Sequence, residues 1–499
     1  MEDIEDLAGA DAGGGERAAG RGGGGVVLAR GRARGPKDES PAVAAAARQD
    51  GVPGVGSFWS KTFGCSHNVS DGEYMEGALV EYGYRMAETK EEADVWLVNS
   101  CTVKDPSQSA FLHVVEQGQK LGKPVVVAGC VPQADRKLKG LEKTSVLGVT
   151  QIDRIVEVVE QALKGNTVRL LGKKELPRLD MPKVRKNKLV EIVPLSTGCL
   201  GSCTYCKTKH ARGKLGSYDP DAIVARVENV LAEEDDEDGL AAREIWLASE
   251  DTGAYGRDLG TNLGSLLERL TQAVAARGLP DRMLRLGMTN PPFILAQLDR
   301  IAAAMRSGHM FKFLHMPVQS GSNAVLDAMR REYTVEEFER AADYMLKHVP
   351  GLTLATDIIC GFPTETEDDF DETMELVAKY KFPVLNISQF YPRPGTPAAK
   401  MKRLQTQVVK DRSRRISAYF ETYMPHEHLV GKTVPCWVSE EVSRDGTQSV
   451  GHTDAYVKVV ITPRDDALQG KRVFVKVSEA SKFHVAASVV SGPASAEEM

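Results

Sequence analysis

Three cysteines near the middle of the chain stand close enough together to hold a metal centre. Cys199, Cys203 and Cys206 form a C-x3-C-x2-C run within residues 194–216, directly after the apolar, strand-like residues 191–195. Three thiolates on so short a loop can ligate three irons of a [4Fe–4S] cubane, which normally takes four thiolates. No fourth cysteine follows nearby, so one iron would remain open to a substrate.

Two alternatives compete with an iron–sulfur centre at this loop. Structural zinc prefers a closed set of four ligands, commonly as paired C-x2-C knuckles, and His210 could be offered as the fourth. The other alternative is a coincidental group of cysteines that holds no ligand. Three thiolates at this spacing favour the cluster over both alternatives.

Three more cysteines each follow a strand-like segment in the first third of the chain. Cys65 comes after FWSKTFG, Cys101 after VWLVNS and Cys130 after VVVAG. Ligands of open α/β sheets lie beyond the carboxyl ends of the strands, so these thiols are expected to converge in space. A lone cysteine is usually a small buried apolar side chain, and that alternative stays open for any one of them. For three at equivalent strand ends, ligation of a second cluster is the better interpretation.

The elements that would position these cysteines are strands alternating with helices. Helical patterns at 71–83, 107–121 and 151–164 lie between and after the strand-like segments. This alternation predicts a small parallel α/β domain over residues 56–165. A segment rich in Lys, Arg and Pro follows at 166–188, and we interpret it as a linker.

The central region, residues 189–416, repeats strand and helix six times. The strand-like runs are EIVPL, EIWLAS, MLRLGM, FLHMPV, LATDII and VLNISQF, and helices open at Thr334 and Thr366. Nearly continuous apolar strands alternating with helices predict right-handed βαβ units and a parallel sheet. Six units fit an open (β/α)6 partial barrel. The predicted fold class is therefore α/β, with a parallel N-terminal domain, this central barrel and a small C-terminal β-barrel.

Polar side chains stand where the predicted barrel strands end, namely Glu250, Asn290, Gln319, Ser320 and Gln389. Active sites of β/α barrels lie at that end, so these residues are expected to contact a cofactor and a substrate. Capping of the following helices is an equal alternative for Asn290 and Ser320. Asp357 lies within its strand and is a candidate for a buried structural acid. Cys360 and Cys436 are expected in the core.

The last predicted domain, residues 421–486, has short strands separated by turns, which favours a small β-barrel. A basic segment, residues 400–415, precedes it and carries seven cations against one acid. Such a run is usually a solvated helix face, but between a barrel and a β domain it could contact phosphates. We expect these contacts from Lys402, Arg403, Arg412 and Arg415. Should they fail, the next candidates are the linker residues Lys183, Arg185, Lys186 and Lys188.

Composition sets limits on the partners and the compartment. The 499 residues carry a net charge of −6, and the run EEDDED at 233–238 alone carries −6. The rest of the chain is balanced, so net charge does not decide the partner. Eight cysteines without a secretory signal indicate a reducing compartment. Residues 1–55 are expected to be a disordered tail and 487–499 a terminal tail, and no stretch is apolar enough for a membrane span.

Several longer motifs resemble one family. These are CTYCKTKHARGKLGSY, SEDTGAYGRD, RLGMTNPP, MPVQSGS, ATDIICGFPTET and QFYPRPGTPAAK, with the aromatic Tyr205 before the last cysteine of the loop. They resemble the radical S-adenosylmethionine methylthiotransferases, and more narrowly the eukaryotic tRNA enzymes that act on N6-threonylcarbamoyladenosine. The likeness runs from about Phe58 to about Val485. One departure is Thr364, where the family's GFPGET turn has a glycine.

The resemblance implies two [4Fe–4S] clusters and S-adenosylmethionine as cofactors. One cluster would bind S-adenosylmethionine through its open iron and would be held by Cys199, Cys203 and Cys206. The residues around that cofactor would be Tyr205, Glu250, Asn290, Gln319 and Ser320. A second cluster would deliver sulfur and would be held by Cys65, Cys101 and Cys130.

The resemblance also implies the reaction and the partners. A radical made from S-adenosylmethionine would take the hydrogen from C2 of N6-threonylcarbamoyladenosine (t6A). That nucleoside stands next to the anticodon, at position 37 of tRNA, and the product would be its 2-methylthio derivative (ms2t6A). The partners would be tRNA carrying t6A and an electron-donor protein. The C-terminal barrel would be a TRAM RNA-binding domain.

Two other functions remain open. Methylthiolation of N6-isopentenyladenosine in tRNA uses the same two cysteine triads. The segment KTKHARG after the cluster loop favours the threonylcarbamoyl substrate, because cationic donors suit its carboxylate; the candidates are Lys207, Lys209, His210 and Arg212. The second alternative is a non-catalytic RNA-binding iron–sulfur protein, and the presence of both triads with the barrel motifs argues against it.

The expected location is the cytoplasm. Members of the resembled branch often carry a C-terminal hydrophobic anchor, which would imply association with the endoplasmic reticulum. This sequence ends in SGPASAEEM, which is not apolar. That ending favours the cytoplasmic alternative.

Overall fold

The N-terminal domain is a six-stranded parallel sheet with helices on both faces. The computed structural model describes residues 54–102, 105–172, 174–235 and 240–492. The strands are β1 Ser57–Thr62, β2 Arg85–Met86, β3 Val95–Ser100, β4 Val125–Gly129, β5 Ser145–Leu147 and β6 Arg169–Leu170, in the order β2-β1-β3-β4-β5-β6. The helices are α1 Ser66–Tyr82, α2 Asp105–Lys120, α3 Cys130–Ala134 and α4 Ile155–Leu163.

Two apolar clusters explain why β3 and β4 are apolar throughout. Leu97 and Val126 pack with α1 and α4 on one face of the sheet, while Trp96 and Val127 pack with α2 on the other face. A strand covered on both faces buries every side chain, which is the pattern of a parallel sheet. The pairing of β5 with β6 extends this sheet beyond the expected domain end at residue 165.

The last part of the segment expected to be a linker contributes two cations to a buried ion-pair network. Lys183 is 0% exposed and its ammonium lies 3.0 Å from Glu73 and 3.1 Å from Glu191. Arg185 is also buried, with its Nε 2.6 Å from Glu191. Buried carboxylates already pair with both cations. The alternative prediction that Lys183 and Arg185 contact phosphates is therefore wrong.

The central domain is the predicted open barrel of six parallel strands. They are β7 Val190–Pro194, β10 Glu244–Ala248, β11 Met283–Leu286, β12 Phe313–His315, β13 Thr353–Cys360 and β14 Val384–Gln389. β7, β10 and β11 pair in one run and β12, β13 and β14 in another. Backbone bonds join the two runs, since Phe311 N–H donates to the Leu284 carbonyl and Thr289 N–H to the His315 carbonyl. A short antiparallel pair, β8 Ser196–Thr197 and β9 Gly216–Ser217, flanks the cysteine loop.

Helices surround this barrel, and two of them begin as the sequence predicts. They are α5 Thr208–Arg212, α6 Pro220–Leu231, α7 Leu263–Arg277, α8 Pro291–Ile294, α9 Leu298–Arg306, α10 Asn323–Ala328, α11 Val335–His348, α12 Glu367–Tyr380 and α13 Thr406–Phe420. Thr334 caps α11 and Thr366 caps α12, each within a reciprocal capping box. These boxes satisfy backbone donors that the first helical turn leaves unpaired. Cys360 lies in the barrel core, as expected.

The C-terminal domain is a closed five-stranded β-barrel. Its strands are β15 Thr433–Val442, β16 Ser449–Thr453, β17 Lys458–Ile461, β18 Arg472–Ala480 and β19 Val485–Val490, in the order β15-β16-β17-β19-β18. Cys436 lies in its core. β19 continues past the expected domain end at residue 486, because its last residues pair with β18.

An aromatic and ionic contact fixes this barrel to the base of the central domain. The Arg285 guanidinium lies 4.6 Å from the ring centroids of both Trp246 and Tyr456. The Tyr456 hydroxyl donates to Glu244 over 3.1 Å.

No helix among the described residues is both long and apolar enough to cross a membrane. Most of the expected tail at 1–55, and residues 493–499 of the other, lie outside the described residues.

Candidate active site

Two cysteine triads, from two domains, open into one cavity of about 350 Å³. The first triad, Cys199, Cys203 and Cys206, lies on the loop between β8 and α5. The second triad, Cys65, Cys101 and Cys130, lies at the ends of β1, β3 and β4. The sequence predicts each triad separately, and the structure brings all six thiols to one space.

The first triad is held by its own loop and by an arginine from a distant segment. Thr208 N–H donates to the Cys206 sulfur over 3.4 Å, and an Arg331 N–H donates to the Cys203 sulfur over 3.1 Å. Burial, together with the nearby Asp251 carboxylate, raises the pKa of the Cys199 thiol to about 12. Metal binding at this thiol must therefore displace a proton.

The second triad is tightly packed at the sheet edge. Cys65 immediately precedes α1 and Cys130 is the first residue of α3. Burial raises the pKa of the Cys130 thiol to about 11. Arg212 of α5, in the central domain, donates from its Nε to the Cys130 sulfur over 3.4 Å. The helix that follows the first triad therefore reaches the second triad.

The donor sets fit two thiolate-bound clusters. The remaining cysteines, Cys360 and Cys436, lie in separate cores, so each triad offers three thiolates. His210, the suggested zinc ligand, is exposed and does not line the cavity. Among the described residues, no group of three or more His, Cys, Asp or Glu side chains could hold a single metal ion. A cubane attaches its thiolates to separate irons, so the three sulfurs need not converge on one point.

Glu250 lines the cavity but is engaged with protein side chains. Its Oε1 lies 2.8 Å from Nδ1 of His67 and 3.1 Å from Nε of Arg212. Burial opposes ionisation of Glu250, but these two partners outweigh it and lower the pKa of the carboxyl. Arg212 also pairs with Asp71 over 2.7 Å. Because two carboxylates already match it, the expectation that Arg212 meets a substrate carboxylate is wrong.

Asn290 and Tyr205 line the cavity and contact the same arginine. Asn290 donates from Nδ2 to Asp251 over 2.7 Å, and its Oδ1 accepts from Arg331. Arg331 also lies 3.4 Å from the Tyr205 hydroxyl. Burial raises the pKa of Asp251 to about 6, against the opposing hydrogen bonds from Asn290. The sequence offers no motif for Arg331, since it lies between two helices of the barrel.

Gln319 and Ser320 are adjacent but differ in placement. Gln319 lines the cavity and adopts a left-handed backbone, with φ of 73°, a conformation that costs energy for a residue with a side chain. Ser320 is buried outside the cavity lining, where its hydroxyl faces Thr373 over 3.3 Å and accepts from Ser322 N–H. The expectation that Ser320 contacts a cofactor is therefore wrong, because it organises the turn before α10.

Three polar side chains on neighbouring barrel strands form part of the site, although the sequence did not predict them as a group. Nε2 of His315 lies 2.8 Å from Oδ1 of Asp357, and Asn386 donates to the same oxygen over 2.9 Å. All three residues line the cavity. Burial disfavours the Asp357 carboxylate, but His315 and Asn386 outweigh it and lower the pKa of the carboxyl. The position of Asp357 in the second half of a barrel strand is the sequence signal that could have indicated this part of the site.

Two basic segments, one after the cluster loop and one before the β-barrel, place their cations in different surroundings. Lys209 donates to the Leu200 and Gly201 carbonyls. Lys207 lines the cavity, and its ammonium forms no hydrogen bond or ion pair with another described residue. Lys402 and Arg403 are exposed on the segment before α13.

The two arginines of α13 that were expected to contact RNA are paired with acids. Arg412 is only 4% exposed and is held by Glu365 over 2.6 Å and by Glu367 over 3.1 Å. The expectation that Arg412 contacts phosphate is therefore wrong. Arg415 is exposed, and its Nη2 lies 3.0 Å from Oδ1 of Asp371.

Comparisons with known proteins agree with this architecture. Residues 193–377 match the family model described as "Radical SAM superfamily", and residues 57–148 match "Uncharacterized protein family UPF0004". A solved radical S-adenosylmethionine methyltransferase, TsrM from Kitasatospora setae, covers 68% of this chain and 76% of its own with a TM-score of 0.50 at 14% identity. At that identity the likeness concerns the fold alone. An open parallel barrel with this cysteine loop is the architecture of a radical S-adenosylmethionine enzyme.

Three relatives define the family more narrowly. The threonylcarbamoyladenosine tRNA methylthiotransferases of Drosophila melanogaster and Homo sapiens are 51% and 49% identical over 448 and 447 residues, covering 88% of this chain and 78% and 75% of theirs. A relative from Pyrococcus horikoshii, named as a probable enzyme of the same kind, is 39% identical over 78% of this chain and 90% of its own. The chain belongs to the threonylcarbamoyladenosine tRNA methylthiotransferase family.

Proposed function

We propose that this protein is the methylthiotransferase that converts t6A at position 37 of tRNA to ms2t6A. The observation that carries the proposal is the single cavity into which both cysteine triads open. A reaction that joins sulfur to an unactivated carbon needs both a radical source and a sulfur donor beside the substrate. One cavity shared by two triads provides both positions.

Cys199, Cys203 and Cys206 would hold one [4Fe–4S] cluster, and Cys65, Cys101 and Cys130 a second. When bound, the clusters with S-adenosylmethionine supply the radical chemistry that replaces the C2 hydrogen of adenine with a methylthio group, which is cofactor chemistry. The protein's own residues bind, orient and exclude water. Tyr205, Asn290 and Gln319, which line the cavity, would contact S-adenosylmethionine, while Glu250 would hold the two domains in register.

The threonylcarbamoyl group is favoured as the substrate by the cavity wall. Lys207 offers an ammonium that no other described residue engages, so it can pair with the threonyl carboxylate. Asp357 offers a carboxylate oxygen that can accept from the ureido N–H. An isopentenyl group would desolvate the Lys207 ammonium without pairing it, which is unfavourable. The isopentenyl alternative is therefore not favoured.

The RNA surface is proposed to include Lys402 and Arg403 together with the C-terminal β-barrel. α13 lies against β14, and Ser413 of α13 accepts a hydrogen bond from Gln389, which lines the cavity. The basic segment is therefore joined to the wall of the cavity. We propose that the barrel acts as a TRAM-type RNA-binding domain, that the electron comes from a donor protein, and that the reaction takes place in the cytoplasm.

Mass spectrometry of tRNA nucleosides tests this function. Cells that lack the protein should accumulate t6A and lose ms2t6A in the same tRNAs, and the protein should restore ms2t6A. A variant with Cys199, Cys203 and Cys206 replaced by Ala should fail to restore it. Unchanged ms2t6A, with loss of the methylthio derivative of isopentenyladenosine instead, would show that the substrate is wrong. No change in either nucleoside would contradict the enzyme assignment.

A further inference from the structure

Each cysteine triad has an arginine at one of its sulfur atoms. An Arg331 N–H lies 3.1 Å from the Cys203 sulfur, and the Arg212 Nε lies 3.4 Å from the Cys130 sulfur. Both arginines line the shared cavity. Each triad is therefore contacted by a fixed positive charge that is not itself a ligand.

Arg331 is held in place by neutral groups. Its Nε donates to the Tyr333 hydroxyl over 3.1 Å, and its other nitrogens contact Asn290 and the Tyr205 hydroxyl. It forms no ion pair with a carboxylate within 4 Å in the part of the chain that the structure describes. A half-buried cation without a matching carboxylate is costly. An anionic group at the first triad would supply the missing negative charge.

Arg212 is held differently, by two carboxylates. It lies 2.7 Å from Asp71 and 3.1 Å from Glu250, and it also contacts Asn68 and His67. These contacts fix the guanidinium at the junction of the N-terminal and central domains. Its charge at the Cys130 sulfur is therefore partly neutralised by carboxylates in direct contact. Arg331 at Cys203 interacts with the carboxylates of Asp251 and Asp357 only at longer range.

Hydrogen bonds to ligand sulfurs and nearby charge set the reduction potential of an iron–sulfur cluster. A positive charge stabilises the reduced cluster, which carries one more negative charge. We propose that Arg331 and Arg212 are positioning residues that each raise the reduction potential of the cluster held by the triad they contact. This inference rests on the proposed function, because it requires a cluster at each triad.

The experiment measures one cluster at a time, by redox titration followed by electron paramagnetic resonance. Full-length protein with Cys65, Cys101 and Cys130 replaced by Ala retains only the cluster of the first triad. The complementary protein, with the first triad replaced, retains only the other cluster. Arg331→Gln and Arg212→Lys are then made in both backgrounds. Lysine is used at residue 212 because it keeps a charge for the buried carboxylates.

Each variant should lower the midpoint of its own cluster only. The electron added on reduction lies a few ångströms from the guanidinium, and Coulomb attraction at that range favours the reduced cluster by about tenfold or more; tenfold is about 59 mV for one electron. Arg331→Gln should give at least this shift at the first cluster and none at the second. Arg212→Lys should give a smaller shift at the second cluster and none at the first, because lysine keeps the positive charge and loses the guanidinium hydrogen bond to the Cys130 sulfur.

A second variant tests Arg212 by the opposite change. Asp71→Asn leaves Arg212 in place and removes a carboxylate that neutralises it, so the midpoint of the second cluster should rise. Arg226→Lys is the matched control, since this buried arginine pairs with Glu191 and contacts neither triad. It should leave both midpoints unchanged.

Three results would overturn the inference. They are unchanged midpoints, equal shifts in both backgrounds, and loss of iron from a variant that remains folded. The last would assign the arginine to cluster assembly instead of tuning. Should Arg212→Lys fail to fold, Asp71→Asn decides, and a midpoint that does not rise refutes the role of Arg212. If a background with intact arginines binds no iron at its remaining triad, the proposed function itself fails.

Discussion

Replacing Gly64 with Ala should remove the second cluster and spare the first. Gly64 precedes Cys65 and has φ of 102°. A Cβ on this residue would lie 2.2 Å from Cβ and 2.4 Å from Sγ of Cys101. Carbon atoms in contact normally stay about 3.5 Å apart, so Cys101 would have to move by roughly 1.3 Å. That displacement is more than half of a metal–sulfur bond of about 2.3 Å.

Gly140 provides the matched control for this variant. Its φ is 91°, so Gly140→Ala imposes a similar backbone penalty, but an added Cβ would meet no atom within 4 Å. The penalty for a left-handed residue with a Cβ is about 1–2 kcal/mol and is common to both variants. Any difference between them therefore reports the clash with Cys101.

Iron analysis after anaerobic reconstitution measures the effect. The unmodified protein and Gly140→Ala should each bind about eight irons, since each cubane contains four. Gly64→Ala should bind about four and should still cleave S-adenosylmethionine, because the first triad is untouched. Eight irons in Gly64→Ala would refute the placement of Cys101 beside Gly64 as a cluster ligand. A loss of iron in both variants would show that backbone strain alone is responsible.

Further predictions concern the division of labour, RNA binding and stability. Replacing Cys65, Cys101 and Cys130 with Ala should abolish methylthiolation and leave 5′-deoxyadenosine formation detectable by chromatography; loss of both activities in a folded variant contradicts separate roles. Lys410 and Arg414 are exposed cations of α13. Changing them to Gln together with Lys402 and Arg403 should weaken tRNA binding and flatten its salt dependence, because fewer counterions are released. Arg415→Gln, at an acid-paired cation, is the control, and an unchanged salt slope in the quadruple variant would indicate a merely solvated helix. Glu191→Gln should lower the free energy of unfolding by about 3–5 kcal/mol, because it leaves buried cations unpaired, whereas a loss below 1 kcal/mol in denaturant titration would contradict this. Burial opposes ionisation of Glu191, but Arg226, Lys183 and Arg185 outweigh it and lower the pKa of the carboxyl. The stabilisation of the folded state by ionised Glu191 is therefore present at neutral pH and is lost as pH falls through that lowered pKa.

The fold and both triads could be predicted because their signals are local. A thiol at the end of each of β1, β3 and β4 needs only the strand pattern, since parallel strands place their ends on one edge. The six barrel strands and the capping residues Thr334 and Thr366 follow from periodicity and helix-start signals in the same way. These features depend on neighbouring residues in the sequence, and the structure confirms the strands and the two caps. That the triads hold clusters stays a prediction.

The partners of the charged residues could not be predicted, because they come from distant segments. Arg212 was expected to meet a substrate carboxylate and Arg412 an RNA phosphate, yet both are buried against carboxylates of the protein itself. Lys183 lies in a stretch with linker composition, but its partners Glu73 and Glu191 belong to α1 and β7. Charge pairing across a tertiary contact leaves no periodic trace in the sequence.

The most direct measurement is an anaerobic reaction of the reconstituted protein with a reductant, S-adenosylmethionine and an anticodon stem-loop that carries t6A. Nucleoside mass spectrometry should show ms2t6A, accompanied by 5′-deoxyadenosine. A matched stem-loop with isopentenyladenosine should remain unmodified. Cleavage of S-adenosylmethionine with no methylthio product on t6A, or methylthiolation of the isopentenyladenosine stem-loop in its place, would contradict the proposed reaction.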